Sequence, residues 1–168
     1  MRKTKKRLKA KSNVEFILFA VKQAKAAEAY GFTRNECCRN LKTALHQYWQ
    51  NKTLGLHGQA HRERIPRSRA ARDLPLGDCI VEHVVPQMVI VNQLMDMAEP
   101  TTPSITALLK RLFRVMLVTR EEDARLRASG LRSVMPDGWD GADVFARYAE
   151  VGIKPAEGHL GTKRRRAR

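Results

Sequence analysis

Apolar residues recur at helical spacing near the start of the chain. Val14, Ile17, Leu18, Val21 and Ala24 form the i, i+3, i+4, i+7 pattern of one buried helix face. Ser12 and Glu15 have the spacing of a capping box. In that motif the serine oxygen accepts from an early helix amide and the glutamate reaches back to the cap. Gly31 is placed to stop the helix. A second box, Thr33 with Glu36, predicts another helix with Cys37, Leu41, Ala44, Leu45 and Tyr48 as its apolar stripe and Trp49 beside it. The short Tyr30-Gly31-Phe32 link makes the pair an antiparallel hairpin. On this pattern Cys37 packs inside the hairpin and Cys38 lies at its edge, each acting as a small hydrophobe.

Between residues 52 and 72 the periodicity loosens into Gly55, Gly58, Pro66 and an arginine-rich run with few large apolar residues, which reads as a solvated loop. Leu74-Pro75-Leu76-Gly77-Asp78 then leads into the most strand-like run, Cys79-Ile80-Val81-Glu82-His83-Val84-Val85. Alternation puts Cys79, Val81, His83 and Val85 on one face and Ile80, Glu82 and Val84 on the other. Pro86 is read as the first residue of a helix through Met88, Val89, Val91, Leu94 and Met95. Thr102 is read as the cap, and Pro103 as the start, of another helix carrying Ile105, Leu108, Leu109, Leu112 and Phe113. A second strand at residues 115–118 runs into a third capping box, Thr119 with Glu122, and a helix ending at Gly130. Turns follow, with Asp143 as the expected cap of a short helix bearing Val144, Phe145 and Tyr148, and Trp139 as a lid on the core.

These elements predict a predominantly helical α+β fold. An N-terminal helical hairpin packs with a small two-stranded sheet and further helices. The expected partition is a basic disordered tail at 1–11, one globular domain at 12–160 and a second basic disordered tail at 161–168.

Charge sharpens this partition. The formal net charge is +15, and residues 1–11 carry seven cations without an acid, among them Lys3, Lys5, Lys6 and Arg7. Residues 163–168 carry five more, including Lys163, Arg164, Arg165 and Arg166. Between the tails, residues 12–162 hold 20 basic and 17 acidic residues. Clustered cations of this kind point to a polyanion, because each neutralised phosphate releases counterions whatever the base sequence. Arg62, Arg64, Arg67, Arg69 and Arg72 add a second patch, opposed among residues 61–72 only by Glu63. Arginine makes planar, bidentate contacts to phosphate. No aromatic residue interleaves with that run, so a base-stacking single-strand surface is not indicated.

Val81-Glu82-His83-Val84-Val85-Pro86 resembles the short segment that opens the His-centred metal nucleases of the HNH class. The resemblance covers these residues alone. It implies that Glu82 would help hold a divalent cation and that His83, beside the metal, would take a proton from the attacking water. Such families place an Asn and a further His downstream; here Asn92 follows, but no histidine occurs before His159. The competing reading is structural, with Glu82 paired to a nearby arginine such as Arg69 or Arg72 and His83 bonded at a local junction.

Other chemistry is thinly represented. His57 and His61 are four apart, but Gly58 weakens a helix there and the glutamate of a zinc-protease motif is missing. Asp137, Asp140 and Asp143 do not have the spacing of a twelve-residue calcium loop. No Gly-rich phosphate loop or serine nucleophile elbow occurs. Three cysteines, two of them adjacent, do not suggest a disulfide framework, which fits a reducing, cytoplasmic setting. No apolar stretch approaches the roughly 20 residues of a membrane helix, so no membrane insertion is expected. The partner expected from sequence is therefore DNA or RNA, bound by an accessory or regulatory protein without a cofactor. The alternatives are a metal-dependent nuclease and a protein-interaction module of a nucleoprotein complex.

Overall fold

The computed structural model describes residues 12–48 and 63–157. Both cationic ends, Trp49, His57, His61 and Arg62 lie outside the described residues. Helix α1, Asn13–Tyr30, opens on the expected box: Glu15 N donates to Ser12 Oγ at 3.3 Å, and Ser12 N donates to Glu15 Oε2 at 2.6 Å. It closes on Gly31 at φ 113°, a left-handed conformation that glycine adopts without a Cβ penalty. The second box opens α2, Arg34–Cys37, which breaks at Cys38 before α3, Arg39–Tyr48. That break corrects the cysteine assignment. The register of α3 turns Cys38 inward with Leu41 and Leu45, all three fully buried, and leaves Cys37 half-buried at the edge.

A single 3-10 turn, Leu76–Asp78, feeds strand β1, Cys79–His83. Two helices follow, α4 at Gln87–Asp96 and α5 at Thr102–Leu112, and then strand β2, Val115–Thr119. Pro86 is the N-cap of α4 rather than its first residue, so the helix starts one position later than expected. Thr101, not Thr102, caps α5, because Thr101 Oγ1 accepts from Ser104 N and Ser104 Oγ accepts in return from Thr101 N. The strands pair antiparallel, with Cys79 opposite Thr119, Val81 opposite Leu117 and His83 opposite Val115. Thr119 is also the cap of α6, Arg120–Ala128, through its box with Glu122. Helix α6 packs across both strands, and α1 packs against α2, α3, α4 and α5. One hydrophobic cluster joins all of these, from Val14 to Ile153. In α5 alone Ile105, Leu108, Leu109 and Leu112 are buried, each contributing roughly 1.5–3 kcal/mol.

The arginine-rich segment departs most from expectation. Residues 66–68 lie along the other edge of β2: Leu117 N donates to Pro66 O and Ser68 N to Leu117 O, both at 2.8 Å. On their far side, Arg69 N donates to Lys154 O at 2.8 Å and Ala156 N to Arg67 O at 2.9 Å. Ile65, Ser68 and Ala71 are buried. Residues 66–68 are thus built into the sheet rather than solvated, while Glu63, Arg64, Arg69, Ala70 and Arg72 stay exposed.

The last described helix, α7, spans Ala146–Glu150. Asp143 bonds the amide of Phe145 just ahead of α7 rather than capping it directly, and Asp140 bonds that of Ala142. Both aspartates therefore serve turns. Trp139 packs partly buried on the core, its indole N–H donating to Asp143 O at 2.7 Å. No described helix is long and apolar enough to cross a membrane.

Candidate functional site

Strand β1 carries Glu82 and His83 to the centre of the molecule, and the residue that meets them is Arg147 of α7. Arg147 is fully buried, while the Glu82 side chain is 19% exposed. The guanidinium is saturated. Nε donates to Val84 O at 2.9 Å, and Nη1 donates to Leu131 O at 2.8 Å and Arg132 O at 3.3 Å. Nη2 donates to Glu82 Oε1 at 2.5 Å and also to His83 O. All five N–H groups of an arginine are accounted for. Below it lies the ring of Tyr148, its centroid 5.3 Å from the guanidinium carbon, a cation–π contact in a dry setting. Glu82 therefore pairs with Arg147, not with Arg69 or Arg72. The reason is topological: α7 folds back against the end of β1.

The electrostatics follow from burial. Desolvation raises the pKa of the Glu82 carboxyl above its ordinary range, opposed by the hydrogen bond and charge of Arg147. Burial holds His83 down at about 4, with the Arg147 and His46 charges pushing the same way. Its Nδ1 is buried without a hydrogen-bond partner, and its ring sits edge-on to Phe113 at 5.5 Å. The Tyr148 hydroxyl is likewise buried without a partner, and burial raises its pKa. At pH 7 such a histidine is neutral and a weak base, well below the value that suits a general base. Glu82 Oε1 is held by Arg147. Among the described residues no group of three His, Cys, Asp or Glu side chains could hold a metal.

The arginines from the sequence divide by role. Arg67 turns inward, its Nη1 donating to the carbonyls of Ala71, Arg72 and Leu74, so it closes its own turn. Arg69 is exposed and pairs with Glu157 at 3.0 Å. Arg64 and Arg72 are exposed. Beneath them Ser68 Oγ donates to Glu122 Oε2 at 2.5 Å, both residues buried. That bond ties the segment to the start of α6.

Arg147 was the residue that sequence reasoning missed. Its signal was present: it stands three residues after Val144 and four before Val151, on the apolar face of α7, where a cation demands a partner.

No family model, curated protein or solved structure matches the chain.

Proposed function

We propose that the protein binds nucleic acid through its phosphates, using its cationic ends and the exposed arginines Arg64, Arg69 and Arg72. One observation carries this reading. The described residues hold 18 Lys and Arg against all 17 Asp and Glu of the chain, so all but one of its +15 charges stand outside them. A nearly neutral body joined to concentrated cations supports attraction to a polyanion with little dependence on base sequence.

The test is a salt titration of binding to mixed-sequence DNA and RNA. Six or more phosphate contacts predict an affinity loss of about a thousandfold between 50 and 200 mM salt. Deleting residues 1–11 and 163–168 is expected to weaken binding and flatten that slope. An unchanged affinity and slope in the truncated protein overturns the proposal.

A further inference from the structure

Helix α1 has two apolar faces, and among the described residues only one is packed. Val14, Ile17, Val21 and Ala24 are buried against the other helices. Phe16, Phe19, Gln23, Ala26 and Tyr30 alternate at spacings of three and four on the opposite side, where all are exposed. Phe16 is 47% exposed, Phe19 58%, Tyr30 84% and, just past the helix, Phe32 53%. These are four of the six large hydrophobic residues left exposed among the described residues. The Tyr30 and Phe32 rings are stacked with centroids 5.9 Å apart. At about 1.5 Å per residue the row from Phe16 to Tyr30 is roughly 21 Å long.

We propose that this outer face of α1 is a stacking platform for unpaired bases, so that the preferred ligand is single-stranded nucleic acid. The proposal rests on the phosphate-binding reading above and names its substrate class. Two features point to that ligand. Sequence-tolerant single-strand sites combine cations along the backbone with aromatic faces for the bases, and here both adjoin. Residues 1–11, with seven cations, join the helix at its cap, Ser12, one turn before Phe16. Eleven residues reach at most about 36–40 Å, enough for those cations to follow a strand along the whole row. A duplex hides its base faces within the stack, whereas a single strand can present them to the rings.

A second copy of the chain fits the face less well. Half of three phenylalanine rings and most of one tyrosine expose roughly 400–500 Å², short of the roughly 800 Å² per partner of a stable interface. Each copy would also bring a net charge of +15 to the encounter.

The experiment uses the full chain with a 20-nucleotide oligothymidylate, an oligouridylate and a duplex of equal length. Wild type is compared with a variant combining Phe16→Ala, Phe19→Ala, Tyr30→Ala and Phe32→Ala, and with each paired half of it. These side chains are exposed, and unchanged circular dichroism and melting of the variants show that the fold is kept. The expected result is tighter binding to the single strands than to the duplex. The combined variant should lose at least about tenfold in single-strand affinity while its duplex affinity and salt slope stay unchanged. If single-strand affinity is unaffected, or falls only in step with duplex affinity, the platform is overturned while phosphate binding stands. If wild type sediments as a dimer and the variant as a monomer, with equal nucleic-acid affinity, the face belongs to a second copy and the proposal fails. If the full chain binds none of the three ligands, both readings fall.

Discussion

Replacing Arg147 by methionine keeps the apolar stem and removes the charge with all five donors. It leaves the Glu82 carboxylate, 19% exposed, without its cation, and takes a donor from the carbonyls of Val84, His83, Leu131 and Arg132. Breaking a buried pair by removing one partner costs about 3–5 kcal/mol, against a total stability of roughly 5–15 kcal/mol for a domain. Arg147→Met is therefore expected to lose about 3–5 kcal/mol in urea denaturation at pH 7 followed by circular dichroism. Arg147→Lys should recover only part of this, since an ammonium has three donors and no planar fork. Glu82→Gln should cost less, about 1 kcal/mol, because the amide oxygen still accepts from Nη2. The combined variant should be more stable than the sum of the two single losses predicts, the sign of a coupled pair. An Arg147→Met protein within about 1 kcal/mol of wild type, or strict additivity in the cycle, would refute the view that this ion pair is a folding determinant.

The low value of His83, about 4, predicts a pH-dependent stability. The unfolded chain takes up this proton near pH 6.5 and the native state only near pH 4, so the native state loses ground as pH falls through that window. The loss between pH 7 and pH 5 is about 2 kcal/mol. His83→Gln should remove this component, and parallel stability curves for the two proteins would contradict it. Glu82 acts in the opposite sense, since its raised pKa lets the native state take a proton before the unfolded chain does; the His83 contribution is therefore read from the difference between wild type and variant. Thiol labelling gives a third check: a neutral alkylating reagent should modify half-buried Cys37 in the native protein and reach buried Cys38 and Cys79 only on unfolding. Equal labelling of Cys37 and Cys38 would contradict the register of α3.

The parts of the fold that sequence made legible are those settled within a few residues. The boxes Ser12 with Glu15, Thr33 with Glu36 and Thr119 with Glu122 each satisfy local amides, so their spacing alone places three helix starts. The two strands were also visible, because β-branched runs between turn residues leave little alternative. What sequence misplaced depends on contacts made across the fold. Cys37 and Cys38 both fit an apolar stripe with Leu41, and only packing on α1 chooses Cys38. The partner of Glu82 lies 65 residues away, beyond any local pattern, and the nearer arginines were the natural but mistaken choice. Residues 66–68 lack strand composition because their role is to pair with β2 through backbone groups, which leave no mark on side-chain periodicity. The free aromatic row of α1 was readable in principle, as apolar positions left over from the buried stripe.

Strand β2 is bonded along both edges, by β1 on one side and by residues 66–68 on the other. This arrangement bears on solubility. Met116-Leu117-Val118 is short, uncharged and rich in strand-forming residues, the composition that seeds chain-to-chain stacking when its edge is open. Here the neighbouring segment carries Arg67 and Arg69, and the outer row beyond it is Lys154-Pro155-Ala156. A lysine and a proline are what natural sheets place at an edge to stop further strands adding. Residues 66–68 thus cover the edge of β2 that β1 leaves open, whatever the outward side chains do.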